Sequence, residues 1–195
     1  MVLTSSIMQG LGMKAPGFTL PDPAGKQYSL ADLRVDKGLL VVFMCNHCPY
    51  VIHIRNKLVE KGRAFQEQGI TVVGINSNDF NVHPDDSPEN MTIDAETYGY
   101  SFPYLVDEGQ QVAKSYGAAC TPDFFLFNAE LKLVYRGQFD NARPGNSEPI
   151  TGADLSSAVD HLIAGKSISV EQRPSMGCNI KWKSGNEPSY FGAKQ

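Results

Sequence analysis

The chain has 195 residues, 42% of them hydrophobic and 19% charged, with a formal net charge of −4. This composition suits a globular protein with a sizeable core and excludes a disordered chain. The weak negative charge gives no reason to expect nucleic acid or an anionic membrane surface as a partner, and no apolar run reaches the roughly 18 residues of a membrane span.

Residues 1–12 read as a loose or short helical lead-in. They lack the basic start and apolar stretch of a secretory signal, so a cytoplasmic setting is expected. APGFTL (15–20) reads as a short strand, 21–26 as a Pro/Gly turn, and 28–33 as a strand edge running into a helical turn. LLVVFM (39–44) is a continuous apolar run, as in a strand buried on both faces. The stretch 45–69 places Val51, Ile54, Leu58 and Phe65 near one helical face and stops at Gly69. ITVVGIN (70–76) is the next strand, which completes a parallel strand–helix–strand crossover. A helix is expected from Ser87-Pro88-Glu89 to about Tyr98, a strand at 104–107 and a short helix at 109–117. A hairpin of 121–127 and 131–137 and an amphipathic helix at 153–165 follow. Residues 166–195 have weak periodicity and are expected to pack as an extension. The predicted fold class is α/β, a central mixed sheet flanked by helices. It is expected to form a single domain over 1–195, with its core at about 13–165.

The four cysteines, Cys45, Cys48, Cys120 and Cys178, are too few for a disulfide scaffold in a chain this long. Cys45-Asn46-His47-Cys48 lies where a buried strand hands over to a helix. The first N–H groups of a helix have no intrahelical partner and carry partial positive charge. A thiol there falls from about 8.5 to roughly 3.5–7.5 in pKa. Cys45 is expected to be the exposed attacking thiolate, Cys48 the resolving thiol, and His47 an imidazole that favours the Cys45 anion. A C-x-x-C beside a crossover unit points to redox chemistry. Structural zinc needs two more ligands, usually a second close pair, and the sequence has none. No metal and no cofactor are expected.

The stretches APGFTLPDPAGKQYSL, FMCNHCPYV, HPDDSPENM, FPYLVDEGQQVAKSYGAACTPDFFLF, LVYRGQFD and PSMGCNIKWK span about residues 13–183. Together they resemble the peroxiredoxin-like branch of the thioredoxin superfamily. The resemblance implies a thioredoxin fold with an N-terminal β extension. It implies that Pro122 is a cis-proline facing the dithiol, with the Thr121 backbone beside Cys45 ready to pair with an extended substrate. The activity implied is thiol–disulfide exchange on disulfide-containing proteins or small-molecule thiols, with a reductase or thiol as recycling partner and no nucleic acid or membrane partner. The alternative is a thiol-dependent peroxidase in which Cys48 attacks and Cys45 resolves. Against it, Cys45 stands where peroxiredoxins have Thr, and Thr121-Pro122-Asp123 contains no Arg. Arg136 is expected to face solvent. A metal-binding thioredoxin-fold module, whose thiolates would suit Cu(I), is the less favoured reading.

LLVVFM carries no buried carboxylate to accept a proton from Cys48. Cys120 and Cys178 are read first as buried free thiols, and second as another redox pair that relays electrons to or from Cys45–Cys48. His83 and His161 read as surface residues, and Asp85, Asp86 and Glu89 as a cap for the following helix.

Overall fold

The computed structural model describes residues 3–192. In order, they form β1 (Leu3–Ser5), β2 (Thr19–Pro21), β3 (Gln27–Ser29), β4 (Gly38–Phe43), α1 (Pro49–Glu67), β5 (Ile70–Asn76) and α2 (Pro88–Tyr98). Then come β6 (Tyr104–Val106), α3 (Gln111–Tyr116), β7 (Cys120–Thr121), β8 (Asp123–Asn128), β9 (Leu133–Gly137), α4 (Ala153–Ile163) and β10 (Met176–Asn179).

Every residue of β4 is buried, because the strand is covered on both faces. Alternation sends Leu40 and Val42, followed by Met44, into one apolar layer with Leu58 and Phe65 of α1 and Leu155 and Val159 of α4. Leu39, Val41 and Phe43 enter the opposite layer with Tyr116 of α3, Phe125 and Phe127. Each such side chain contributes about 1.5–3 kcal/mol when fully buried, an upper figure for a compact unfolded chain. β4 pairs in parallel with β5 and antiparallel with β8, giving a central sheet of order β6-β5-β4-β8-β9. This is the predicted thioredoxin fold, and β2 and β3 form the hairpin of its N-terminal extension.

Two short strands depart from the sequence reading. β1 and β10 replace a loose lead-in and an aperiodic tail. With β7 they make a second sheet of order β1-β10-β7. In its register Leu3 faces Cys178, and Cys178 faces Thr121. The C-terminal extension is pinned further by Ser175 Oγ donating to the Pro122 carbonyl at 2.6 Å and Lys181 N donating to Asn78 Oδ1 at 2.8 Å. It therefore lies across the end of the central sheet where β4 meets α1.

Candidate functional site

Helix α1 starts at Pro49, not at Cys45, and Cys48 is its N-cap. Proline suits this first position because its missing N–H has no intrahelical acceptor there. The shift moves the positive end of the helix onto Cys48. As a thiol, Cys48 donates to the Thr121 carbonyl at 3.1 Å. As a thiolate it accepts hydrogen bonds from the Cys178 and Cys45 thiols, the Thr121 side chain and the Val51 N–H. These donors hold it well below the ordinary thiol range despite burial. Cys45 goes the other way. Burial pushes it up, and its bond to Cys48 and the nearby Asp86 charge add to the rise. The surroundings thus favour the anion on Cys48 rather than at the expected position, Cys45.

The expected exposure of Cys45 is corrected as well. Cys45 is 1% exposed and Cys48 0%. The cause is β10, which occupies the backbone edge of Thr121 that sequence reasoning left open for substrate. Thr121-Pro122 is the expected cis bond. Close approach depends on Gly177: a Cβ there would overlap the Thr121 carbonyl and crowd Pro122 N. Gly177→Ala is expected to lift β10. Alkylation of Cys45 and Cys48 by iodoacetamide should accelerate at least about tenfold, with about 1–3 kcal/mol lost in urea unfolding. Unchanged alkylation kinetics would show that β10 is not the cover.

The loop between the cysteines is clamped by residues from three elements. Asn46 N–H donates to Asp86 Oδ1 at 2.8 Å, the Asn46 carbonyl accepts from Arg55 at 2.5 Å, and Asn46 Oδ1 accepts from the Tyr104 hydroxyl at 2.9 Å. Arg55 is buried and pairs with Asp94 at 2.7 Å. Asp86 was expected to cap a helix. Instead the turn at Pro84–Asp86 aims its carboxylate inward, fully buried. Ser87 makes the cap, accepting from Asn90 N–H.

His47 Nδ1 lies 2.7 Å from Asp86 Oδ2, a contact that becomes an ion pair when the imidazole is protonated. Asp86 raises His47 above the ordinary imidazole range. Burial pushes Asp86 up, but His47, Asn78 and the Asn46 N–H outweigh it and leave the carboxyl below its usual range. His83, expected on the surface, stacks on His47 with ring centroids 5.5 Å apart. Cys45 Sγ, a His47 ring nitrogen and an Asp86 oxygen lie within 4.8 Å of one another. Among the described residues this is the group that could hold a metal ion, but three donors leave a tetrahedral set incomplete.

Cys178 is brought to Cys48, while Cys120 is not brought to Cys178. In the β7–β10 register Cys120 faces Asn179, so its side chain leaves the opposite face of the sheet. Its thiol points to the Pro122 carbonyl at 3.6 Å. The two thiols therefore leave opposite faces of this sheet, and all four cysteines are buried and outside any disulfide. Arg136 is half-buried rather than solvated and donates to the Gln9 carbonyl and Gln172 Oε1. A buried carboxyl does exist, but on β8: Asp123 is pushed up to about 7 by burial and accepts from Ser6 Oγ at 2.7 Å.

A strand–loop–helix dithiol beside a proline-led strand is an architecture shared by several redox proteins, and comparison narrows it. The model of the AhpC/TSA family matches residues 11–136. The chain belongs to the AhpC/TSA family. This AhpC/TSA protein is similar to the thiol-disulfide oxidoreductase ResA of Bacillus thuringiensis (strain Al Hakam), 28% identical over 127 residues, covering 64% of this chain and 67% of that one. A hypothetical protein of Sinorhizobium meliloti 1021 has a similar structure, with TM-score 0.91, 49% identity, and coverage of 93% of this chain and 100% of that one. A secreted disulfide oxidoreductase of Mycobacterium tuberculosis shares the fold at TM-score 0.57 and 19% identity, covering 73% and 94% of the two chains. The AhpC/TSA chain is a thioredoxin-fold enzyme of thiol–disulfide chemistry that acts on disulfide or thiol substrates.

The expected cytoplasmic setting is overturned by these relatives, one of which is secreted. That expectation rested on the lack of a signal-like pattern in residues 1–12, and such a lack does not fix a compartment. No helix among the described residues is long and apolar enough to cross a membrane.

Proposed function

We propose that this chain exchanges disulfides through Cys45 and Cys48, with Cys45 facing the substrate and Cys48 resolving. The carrying observation is the Cys45–His47–Asp86 cluster, whose donor atoms lie within 4.8 Å of one another. When substrate displaces the cover, neutral His47, held by Asp86, takes the Cys45 proton. The Cys45 thiolate then attacks the substrate disulfide, forming a mixed disulfide and releasing one substrate thiolate. Cys48, already favoured as an anion, attacks Cys45 Sγ. The second substrate thiolate leaves, and Cys45–Cys48 is oxidised. Stabilising Cys48 as thiolate stabilises the reduced pair, which makes its disulfide more oxidising. Thr121 and Pro122 position the sulfurs. The whole of 1–195 acts as one domain, since β1 and β10 complete the sheet beside the site. Substrates are disulfide-bearing proteins or small-molecule disulfides, and a thiol or reductase recycles the pair.

A second reading is reduction of hydroperoxides by Cys48. The observation that favours it is a thiolate-stabilised sulfur with negligible exposure, which a small oxidant can reach more readily than a protein disulfide can. One stoichiometric experiment separates the readings. Pre-reduced protein is mixed with either a quenched fluorescent disulfide peptide or hydrogen peroxide. The oxidoreductase reading expects one disulfide reduced per chain, with faster reaction toward peptide. No reaction with peptide alongside rapid peroxide loss would install the peroxidase in its place.

A further inference from the structure

The strand that fills the open edge of Thr121 carries a thiol at the reacting position. β10 runs antiparallel to β7, with Cys178 opposite Thr121. Thr121 is also the residue whose carbonyl receives the Cys48 thiol. Cys178 shares a hydrogen bond with Cys48 and lies in the same apolar layer as Cys45 and Cys48. Gly177 allows this approach, because any larger residue would strike the Thr121 carbonyl. Cys48 is therefore flanked by two thiols, one from its own loop and one from the C-terminal extension.

The geometry points to Cys178 as a third redox-active thiol, an internal substrate that exchanges onto Cys48. This rests on the reading of Cys45–Cys48 as the exchanging pair. The step is a disulfide isomerisation that needs no outside oxidant. Cys178 thiolate attacks Cys48 Sγ of the Cys45–Cys48 disulfide, the Cys48–Cys178 bond forms, and the Cys45–Cys48 bond breaks. Cys45 leaves as thiolate and takes up the proton that Cys178 gave up. One disulfide and one thiol are present before and after.

Protonation favours the step at the right moment. In the reduced site the Cys48 anion keeps Cys178 protonated, raised above the ordinary thiol range by their hydrogen bond and by burial. Once Cys48 is in a disulfide that anion is gone, and Cys178 becomes easier to ionise. The exchange returns Cys45 to the thiol state while the oxidising equivalent is held on β10.

Disulfide mapping tests this. Full-length reduced protein is treated with one equivalent of diamide, quenched in acid, alkylated under denaturing conditions and digested with trypsin without reduction. Cys45 and Cys48 share peptide 38–55, Cys178 lies in 167–181, and Cys120 lies in 115–132. The expected result is a 38–55/167–181 cross-link beside the internally bridged 38–55 peptide. In Cys45→Ser that cross-link becomes the dominant oxidised species, which assigns it to Cys48. It is lost in Cys178→Ser, which still closes Cys45–Cys48. Complete alkylation of Cys178 in both wild type and Cys45→Ser overturns the inference and leaves the parent reading intact. Failure of Cys178→Ser to close Cys45–Cys48 overturns the parent reading, and the inference with it.

Discussion

Cys45→Ser protein is expected to lose at least about a thousandfold in disulfide-exchange turnover, whereas Cys48→Ser should form one covalent adduct per chain with the substrate and stop. The two sulfurs occupy different environments, so the losses differ in kind. Cys45 borders the half-buried Asn46-His47 loop and touches the Thr121 side chain at 3.4 Å. Its serine variant has no sulfur to form the mixed disulfide. Cys48 lies deeper, under Thr121 and β10. Its serine variant permits the first step and blocks the second. The same pair of variants separates the thiolate assignment. Ultraviolet thiolate absorbance at neutral pH should persist in reduced Cys45→Ser and vanish in Cys48→Ser. The reverse pattern would return the resident anion to Cys45.

The second large effect belongs to Asp86. Asp86→Asn keeps the shape but loses the charge that faces His47 and one of the two acceptor oxygens held by Asn46 N–H and Asn78 Nδ2. Exchange should slow by about 10²-fold, the lower range for loss of general-base assistance. The signs of the pH effects follow from the shifts. His47 is raised, so its pairing stabilises the fold fully below the ordinary imidazole pKa of about 6.5 and is lost as pH rises through the raised value. Asp86 is lowered, so its contribution is present above about 3.9 and lost as pH falls through the lowered value. The melting-temperature deficit of Asp86→Asn should therefore be largest between about pH 4 and 6.5 and shrink above that window. A residual deficit remains from the one lost acceptor oxygen. The activity inflection, which reports neutral His47, should move to lower pH. A deficit independent of pH, with an unmoved inflection, would make Asp86 a structural residue only.

Much of this architecture is legible in the sequence. LLVVFM suits a strand covered on both sides, and its parallel pairing with ITVVGIN follows from crossover logic. Thr121-Pro122 and the C-x-x-C located the site. The helix start was misplaced by four residues because the apolar spacing begins at Val51 and says nothing of the Cys45–Cys48 turn, while Pro49 marks the true first position. β1 and β10 were invisible for another reason. Strands of three and four residues such as Leu3–Ser5 and Met176–Asn179 have no periodicity of their own, and they exist because of partners more than fifty residues away. Asp86 was misread because Asp-Asp-Ser-Pro-Glu has the composition of a helix start. Only the turn at Pro84–Asp86 decides that one of its carboxylates faces inward.

The late position of β10 in the sequence has a consequence for biosynthesis. The Cys45–Cys48 loop leaves the ribosome about 130 residues before the strand that roofs it. At about 5–20 residues per second, the nascent chain spends on the order of ten seconds with its sulfurs unroofed. During that interval the dithiol is open to ambient oxidants and foreign thiols that β10 excludes from the finished molecule.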